Sequence, residues 1–454
     1  MAKKAQFASK IGLIAATVGS AVGLGNIWRF PAEAQANGGA AFLIVYILCA
    51  LVLGIPVMLA EFSLGRAGQS GAVGSFQRLK ASRAWGAVGF IAVLASYLIL
   101  CFYMVVAGWT FEYLWQSITG HLYEPVQGAS NLQSQFASRM EEFICDPWNP
   151  LINTYAVIIV NILILIAGVQ KGIERLSNIL MPLLFVILLV FTCVAMTLPK
   201  AAEGLSYFFH PDFTKLTPTV VLNALGQSFF SMSLGMGILI TYAAYFPRDA
   251  RLTKTAFTVA GLDLMVSVMM GMIIFPAVMS FNLEGESLRG ATMVFVTLPE
   301  IFAAIPLTQL WSILFFLLLL VAAITSTISI AEVTVAMLQD RLKLSRVRAV
   351  LLALIPLFAF SALCSLSQGP LSHFLVFGMN IFDLLDNFAT NILLPLGSIL
   401  LCIYIGWFAP EWLLPRELTN DGALHSRYVP LVKFAIKYVA PVLILFVLLT
   451  PILN

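Results

Sequence analysis

Charge is what this sequence has least of: only 10% of its 454 residues are Asp, Glu, Lys or Arg, against roughly a quarter in ordinary soluble domains. Its four histidines (His121, His210, His373 and His425) fall near helix ends or loops. No H-E-x-x-H, G-x-S-x-G or paired catalytic aspartate motif occurs, so an intramembrane hydrolase lacks its machinery. The six cysteines, Cys49, Cys101, Cys145, Cys193, Cys364 and Cys402, lie mostly inside apolar runs. Only Cys145 reads as exposed on the outer side, so neither a disulfide framework nor a metal site is expected.

What is abundant is apolar: 60% of residues are hydrophobic, and the mean hydropathy is +0.95. A helix crosses a hydrocarbon core of roughly 30 Å with about 20 apolar residues. Eleven such windows occur, at about 11–36, 41–64, 87–118, 152–169, 176–198, 219–246, 255–281, 309–338, 347–366, 374–407 and 430–451. The first lacks an A-x-A-like cleavage site after a short apolar core and is expected to be retained. With the N-terminus in the cytoplasm, all of the 25 Lys and Arg except Arg29, Arg139, Lys200, Lys215 and Arg289 fall on the cytoplasmic side. The odd helix count then places the C-terminus outside. The net charge of +3 reads as this topology signal, with no nucleic-acid patch.

No soluble domain interrupts the pattern. The longest polar insertion, about 119–151, is expected to cover the outer face, and the amphipathic stretch at about 282–308 to dip back as a lid. Glycine breaks recur in "AVGLGN" (Ala21 to Asn26) of helix 1 and "SMSLGMG" (Ser231 to Gly237) of helix 6. That interval of five helices is what a five-plus-five inverted repeat produces. Unwound backbone at membrane depth is tolerated where it is buried in protein or lines a cavity, so two breaks point to one central site. Free N–H groups at a half-helix start attract a carboxylate, and free carbonyls at the other end attract a cation.

Polar side chains gather around the breaks: Asn26 on helix 1, Gln227, Ser231 and Ser233 on helix 6, Asp263 and Ser267 on helix 7, and "AAITSTISI" (Ala322 to Ile330) on helix 8. A single glycine motif is more often a close helix crossing, and Ser or Thr often bonds its own helix. Asp263 is the stronger witness, because an aspartate at mid-membrane costs on the order of 2.5–3.5 kcal/mol. A channel would need a continuous polar pore, whereas these groups converge on one midplane spot.

"GSAVGLGNIWRFP" (Gly19 to Pro31), "NGGAAFLIVY", "KGIERLS", "GQSFFSMSLGMG", "ITYAAY" and "AAITSTISI" occur in that order along most of the chain. In them the chain resembles the neurotransmitter:sodium symporter family, in its bacterial amino-acid branch with the leucine-transporter fold. Eleven helices, where twelve are common, make it similar to the short multi-hydrophobic amino-acid transporters. The resemblance implies an all-α polytopic membrane protein with unwound helices 1 and 6. It would form one transporter domain of repeats at about 11–198 and 219–407, plus helix 11 at about 430–451.

The resemblance further implies two co-transported sodium ions. The first site matches Ala21, Asn26, Ser231 and Asp263, and the second Gly19, Val22, Ala322, Thr325 and Ser326. The substrate carboxylate would sit on the Leu24 and Gly25 amides and the Tyr103 hydroxyl, and the amino group near the Ala21, Phe230 and Ser233 carbonyls. Ser20, Ile99, Phe230, Met236, Ser326 and Ile330 would shape the side-chain room, with Ser231 beside them. That lining carries no acid for a basic side chain, so hydrophobic or aromatic L-amino acids are expected. The family's chloride position matches Tyr46, Gln227, Ser231, Ser267 and Asp263. A carboxylate already at Asp263 implies chloride-independent transport.

The outer gate would pair Arg29 with Asp386, preferred over Asp383, and Phe230 would close over the substrate. The inner gate would pair Lys4 with Asp340, supported by Tyr245; Lys4 stands where arginine is usual and Phe7 where tryptophan is usual. Glu61 is expected to hold helix 1 backbone, and Glu332 to be structural or proton-carrying. The expected setting is a bacterial inner membrane, multi-pass, with small-molecule and lipid contacts and a monomeric or weakly homodimeric state.

Overall fold

The computed structural model describes residues 6–79, 81–124, 132–281, 290–424 and 427–453. Among these, nine helices are long and apolar enough to cross a membrane. They are helix 2 (Ala40–Gly68), helix 3 (Arg83–Thr119), helix 4 (Asn149–Ile166), helix 5 (Val169–Ala195), helix 7 (Leu252–Phe281), helix 8 (Thr308–Leu342), helix 9 (Arg346–Leu366), helix 10 (Ile381–Phe408) and helix 11 (Val429–Leu449). Helix 1 is a bent pair, Lys10–Ala21 and Gly25–Ala36, turned by 55°. Helix 6 is likewise broken, into Pro218–Ser231 and Ile238–Ala243. The eleven expected spans are therefore all helical.

Two boundaries and the exposure of one cysteine differ from the sequence reading. The break in helix 1 is narrower than "AVGLGN": helix stops at Ala21 and a wide turn resumes at Gly25. Helix 10 begins at Ile381 rather than near 374, because Phe377 and Gly378 take left-handed φ values of 54° and 79° in a turn where Val376 and Met379 pair. Cys193 is exposed as well as Cys145, on the outer surface of helix 5, where an apolar thiol faces lipid.

Proline explains much of the helix irregularity. Six of the seven wide, i to i+5 turns among the described residues end two positions before a proline, namely Pro31, Pro56, Pro299, Pro395, Pro410 and Pro441. Proline has no N–H to offer the preceding turn and its ring crowds the carbonyl there, so the helix widens just upstream.

Helices 3 and 8 pack most extensively against each other and form a scaffold to which helix 1 is applied. Close approach elsewhere depends on glycine: a Cβ at Gly65 of helix 2 would come within 2.0 Å of the Ile240 carbonyl oxygen of helix 6. Both outer insertions contain helix where they are described. Leu132–Cys145 and Gly290–Ala303 are helices, and Phe295 is buried against Trp28, Trp109, Tyr113 and Phe316.

Candidate substrate and cation site

The two breaks meet at the centre of the bundle. In helix 6, Ser233, Gly235 and Gly237 all have positive φ (54°, 78° and 70°), which turns residues 232–237 out of helical geometry. The freed backbone is caught by side chains: Glu61 Oε1 accepts from Gly235 N–H at 2.7 Å, and Ser96 Oγ donates to the Met236 carbonyl. Glu61 thus serves helix 6 and not helix 1, a correction to the sequence reading. Helix 2 lies along the second half of helix 6, so its acid reaches that break first. The Ser233 hydroxyl donates to the Ser20 carbonyl at 2.7 Å and ties the two breaks together.

Between them lies a cavity of about 30 Å³ lined by Ser20, Ala21, Leu24, Gly25, Ile99, Tyr103, Phe230, Ser231, Ser233, Met236, Ser326 and Ile330. Every residue that the resemblance implied for the substrate is there, together with Gly23. Gly23 went unread although it is the middle of "VGLG". A Cβ there would stand 2.8 Å from Ser326 Oγ and 3.0 Å from the Tyr103 hydroxyl, so only glycine keeps the floor open. The Leu24 N–H donates to the Tyr103 hydroxyl at 3.2 Å. The volume is close to that of one water molecule, so any larger solute needs the lining side chains to move. Phe230 is half-buried, and the Arg29 guanidinium lies 4.9 Å above its ring.

Beside the cavity stands a fully buried polar knot. Asp263 accepts from Ser231 Oγ at 2.7 Å, Asn26 Nδ2 at 2.8 Å and the Tyr46 hydroxyl at 3.3 Å. Asn26 Nδ2 also donates to Ser231 and Ser267, while its oxygen accepts from Gly23 N–H at 3.1 Å. Among the described residues these partners are all neutral, and a buried carboxylate with neutral partners alone keeps most of its desolvation cost. The Asn26 amide nitrogen is turned into this knot, but the oxygens of Asp263, Ser231, Ser267 and Tyr46 with one negative charge are of the kind that suits a hard cation. Gln227 stands apart from Asp263 and donates to the Gly25 carbonyl at 3.0 Å, with its own side-chain oxygen buried and unpartnered.

The second group also converges. Ser326 Oγ donates to the Val22 carbonyl at 3.3 Å, and a Cβ on Gly19 would lie 3.3 Å from Thr325 Cβ. Thr325 bonds its own helix, to the Val321 and Ala322 carbonyls at 3.0 and 3.1 Å, which leaves its lone pairs turned outward.

At the outer end, Arg29 makes no ion pair within 4.0 Å among the described residues. Of the two candidate acids on helix 10, Asp383 is engaged by Asn380 at 2.8 Å. At the inner end, Lys4 lies outside the described residues. Asp340 accepts from Ser70 Oγ and Gly71 N–H, each at 2.7 Å. Tyr245 donates to Glu332 at 2.7 Å, and Arg346 grips both oxygens of Glu332 at 2.7 and 2.6 Å. Glu332, read as structural or proton-carrying, is thus one half of a bidentate ion pair. Phe7 is buried edge-on against Tyr242 at 5.8 Å. Glu174, in a motif noted but given no role, accepts from Ala8 N–H, Ser9 N–H and Ser9 Oγ at 2.8 to 3.0 Å, which seats the start of helix 1.

A profile of the sodium:neurotransmitter symporter family matches residues 4–133 and 138–454. An uncharacterized sodium-dependent transporter, YhdH, of Bacillus subtilis is 34% identical over 98% of this chain and 97% of its own length. The sodium-dependent dopamine transporter of Bos taurus is 26% identical over 98% of this chain and 68% of its own. The crystal structure of MhsT in complex with L-phenylalanine superposes with a TM-score of 0.88 at 41% identity, over 99% of this chain and 100% of that one. The chain therefore has the leucine-transporter fold and belongs to the sodium:neurotransmitter symporter family of sodium-dependent membrane transporters, and it is not an enzyme.

Proposed function

We propose that this protein imports hydrophobic or aromatic L-amino acids by alternating access, driven by sodium and independent of chloride. The observation that carries the reading is the central cavity, whose lining side chains bear no charge and whose floor adjoins the Asp263 knot. A zwitterion fits there: its carboxylate meets the Leu24 and Gly25 amides and Tyr103, and its ammonium the carbonyls of Ala21, Phe230 and Ser233. The side chain is left among Ile99, Met236 and Ile330, where a flexible thioether repacks for several substrates. The phenylalanine in MhsT supports this class.

One sodium ion binds Ala21, Asn26, Ser231 and Asp263 together with the substrate carboxylate, which makes binding of the two interdependent. A second binds Gly19, Val22, Ala322, Thr325 and Ser326 and holds helix 1 to helix 8. Arg29, Phe230 and Asp386 close the outer side, and the Lys4, Tyr245 and Asp340 region with Phe7 closes the inner side. The protein sits in a bacterial inner membrane with its N-terminus in the cytoplasm and its C-terminus outside.

The test is uptake into proteoliposomes. An inward sodium gradient should drive accumulation of unchanged phenylalanine or leucine, and replacing chloride with gluconate should leave the rate the same. Uptake lost in gluconate sinks the chloride independence, and equilibration without accumulation sinks the coupling.

A further inference from the structure

Far from the central site, a groove of about 580 Å³ opens where helix 3 begins and helix 8 ends, against the short helix Ala72–Arg78. Both helix ends lie on the bilayer face that carries the start of helix 1, as the order of the spans requires. The groove has two chemical halves. One is apolar, made by Val73, Met337, Phe90 and Leu342, with Phe90 55% and Leu342 57% exposed toward the lipid belt. The other is cationic, made by Arg83 and Arg341. Among the described residues, neither guanidinium has a hydrogen-bond or ion-pair partner, and no acid lines the groove. The adjacent Asp340 points elsewhere, to Ser70 and Gly71.

Two unpaired guanidiniums over an apolar wall at a membrane boundary are complementary to one chemistry: a phosphate with acyl chains attached. Arginine's planar donors match a phosphodiester, and basic pockets between helices at this depth attract anionic headgroups. We propose that this groove is a binding site for an anionic phospholipid, with the phosphate between Arg83 and Arg341 and an acyl chain along Phe90 and Leu342. Its occupant joins the short helix after helix 2 to helices 3 and 8, so it braces the inner side of the protein.

The test is native mass spectrometry of the delipidated full chain titrated with dioleoylphosphatidylglycerol or dioleoylphosphatidylcholine. Tight binding is expected for phosphatidylglycerol alone. At about 1 kcal/mol per basic residue, Arg83→Gln and Arg341→Gln should each weaken it about fivefold, and the double variant about thirtyfold. Arg348→Gln, exposed but outside the groove, should change nothing. The double variant's unchanged helical circular dichroism and melting in phosphatidylcholine would exclude a folding defect. Equal binding of the two lipids, an undiminished affinity in the double variant, or arginine-dependent binding of inorganic phosphate without phosphatidylglycerol would each overturn the assignment.

Discussion

Asp263 carries more of the account than any other residue, because it is a wholly buried acid whose described partners are neutral. A hydrogen bond or ligand contact to a charged group contributes about 1.5–3 kcal/mol, so Asp263→Asn should raise the sodium concentration for half-maximal substrate binding by about tenfold to a hundredfold. Scintillation proximity binding with graded sodium measures this, and an unchanged sodium dependence would remove Asp263 from the cation site. Gly23 makes the complementary prediction. Gly23→Ala places a methyl 2.8 Å from Ser326 Oγ and 3.0 Å from the Tyr103 hydroxyl, both of which line the cavity. Binding of phenylalanine should fall at least about tenfold, a loss near 1.4 kcal/mol, with the melting temperature of the substrate-free protein retained.

At the scale of helices, two buried joints are made by ion pairs that sequence spacing did not reveal. Glu332 ends its role in helix 8 by pairing with Arg346 at the start of helix 9, while Arg66 of helix 2 reaches Glu417 near helix 11, both partners being 3% exposed or less. Removing one member of such a pair strands a buried charge, at a cost of about 3–5 kcal/mol, whereas replacing both with apolar residues often costs little. Glu417 keeps a longer contact to half-exposed Arg248 at 3.4 Å, so Arg66→Leu should lower the thermal melting temperature by less than that full cost implies, and Arg66→Leu with Glu417→Leu should recover most of it. A double variant as unstable as the single one would mean that packing, and not charge, holds that joint. The same reasoning explains what was legible. Helix number and the two breaks follow from local composition, and the pocket residues from the family resemblance. The partners of Glu61, Glu174 and Glu332 come from segments distant in sequence or on another helix, so their pairing required the three-dimensional arrangement. The widened turns ahead of six prolines were written locally but show only once the helices are traced.

At the scale of the whole molecule, the centre of a membrane protein is the place where unpaired backbone is most expensive, and this chain puts two helix breaks and a buried acid there together. The account holds that these features cost little when a zwitterion and sodium are bound, and that each favours the other. That coupling can be measured on purified protein by the binding of each of the twenty amino acids in sodium and in choline. Phenylalanine, leucine and similar side chains should bind in sodium and lose nearly all affinity in choline, while aspartate and lysine should bind in neither. Binding of the apolar amino acids at equal strength in choline, or a preference for charged ones, would contradict it.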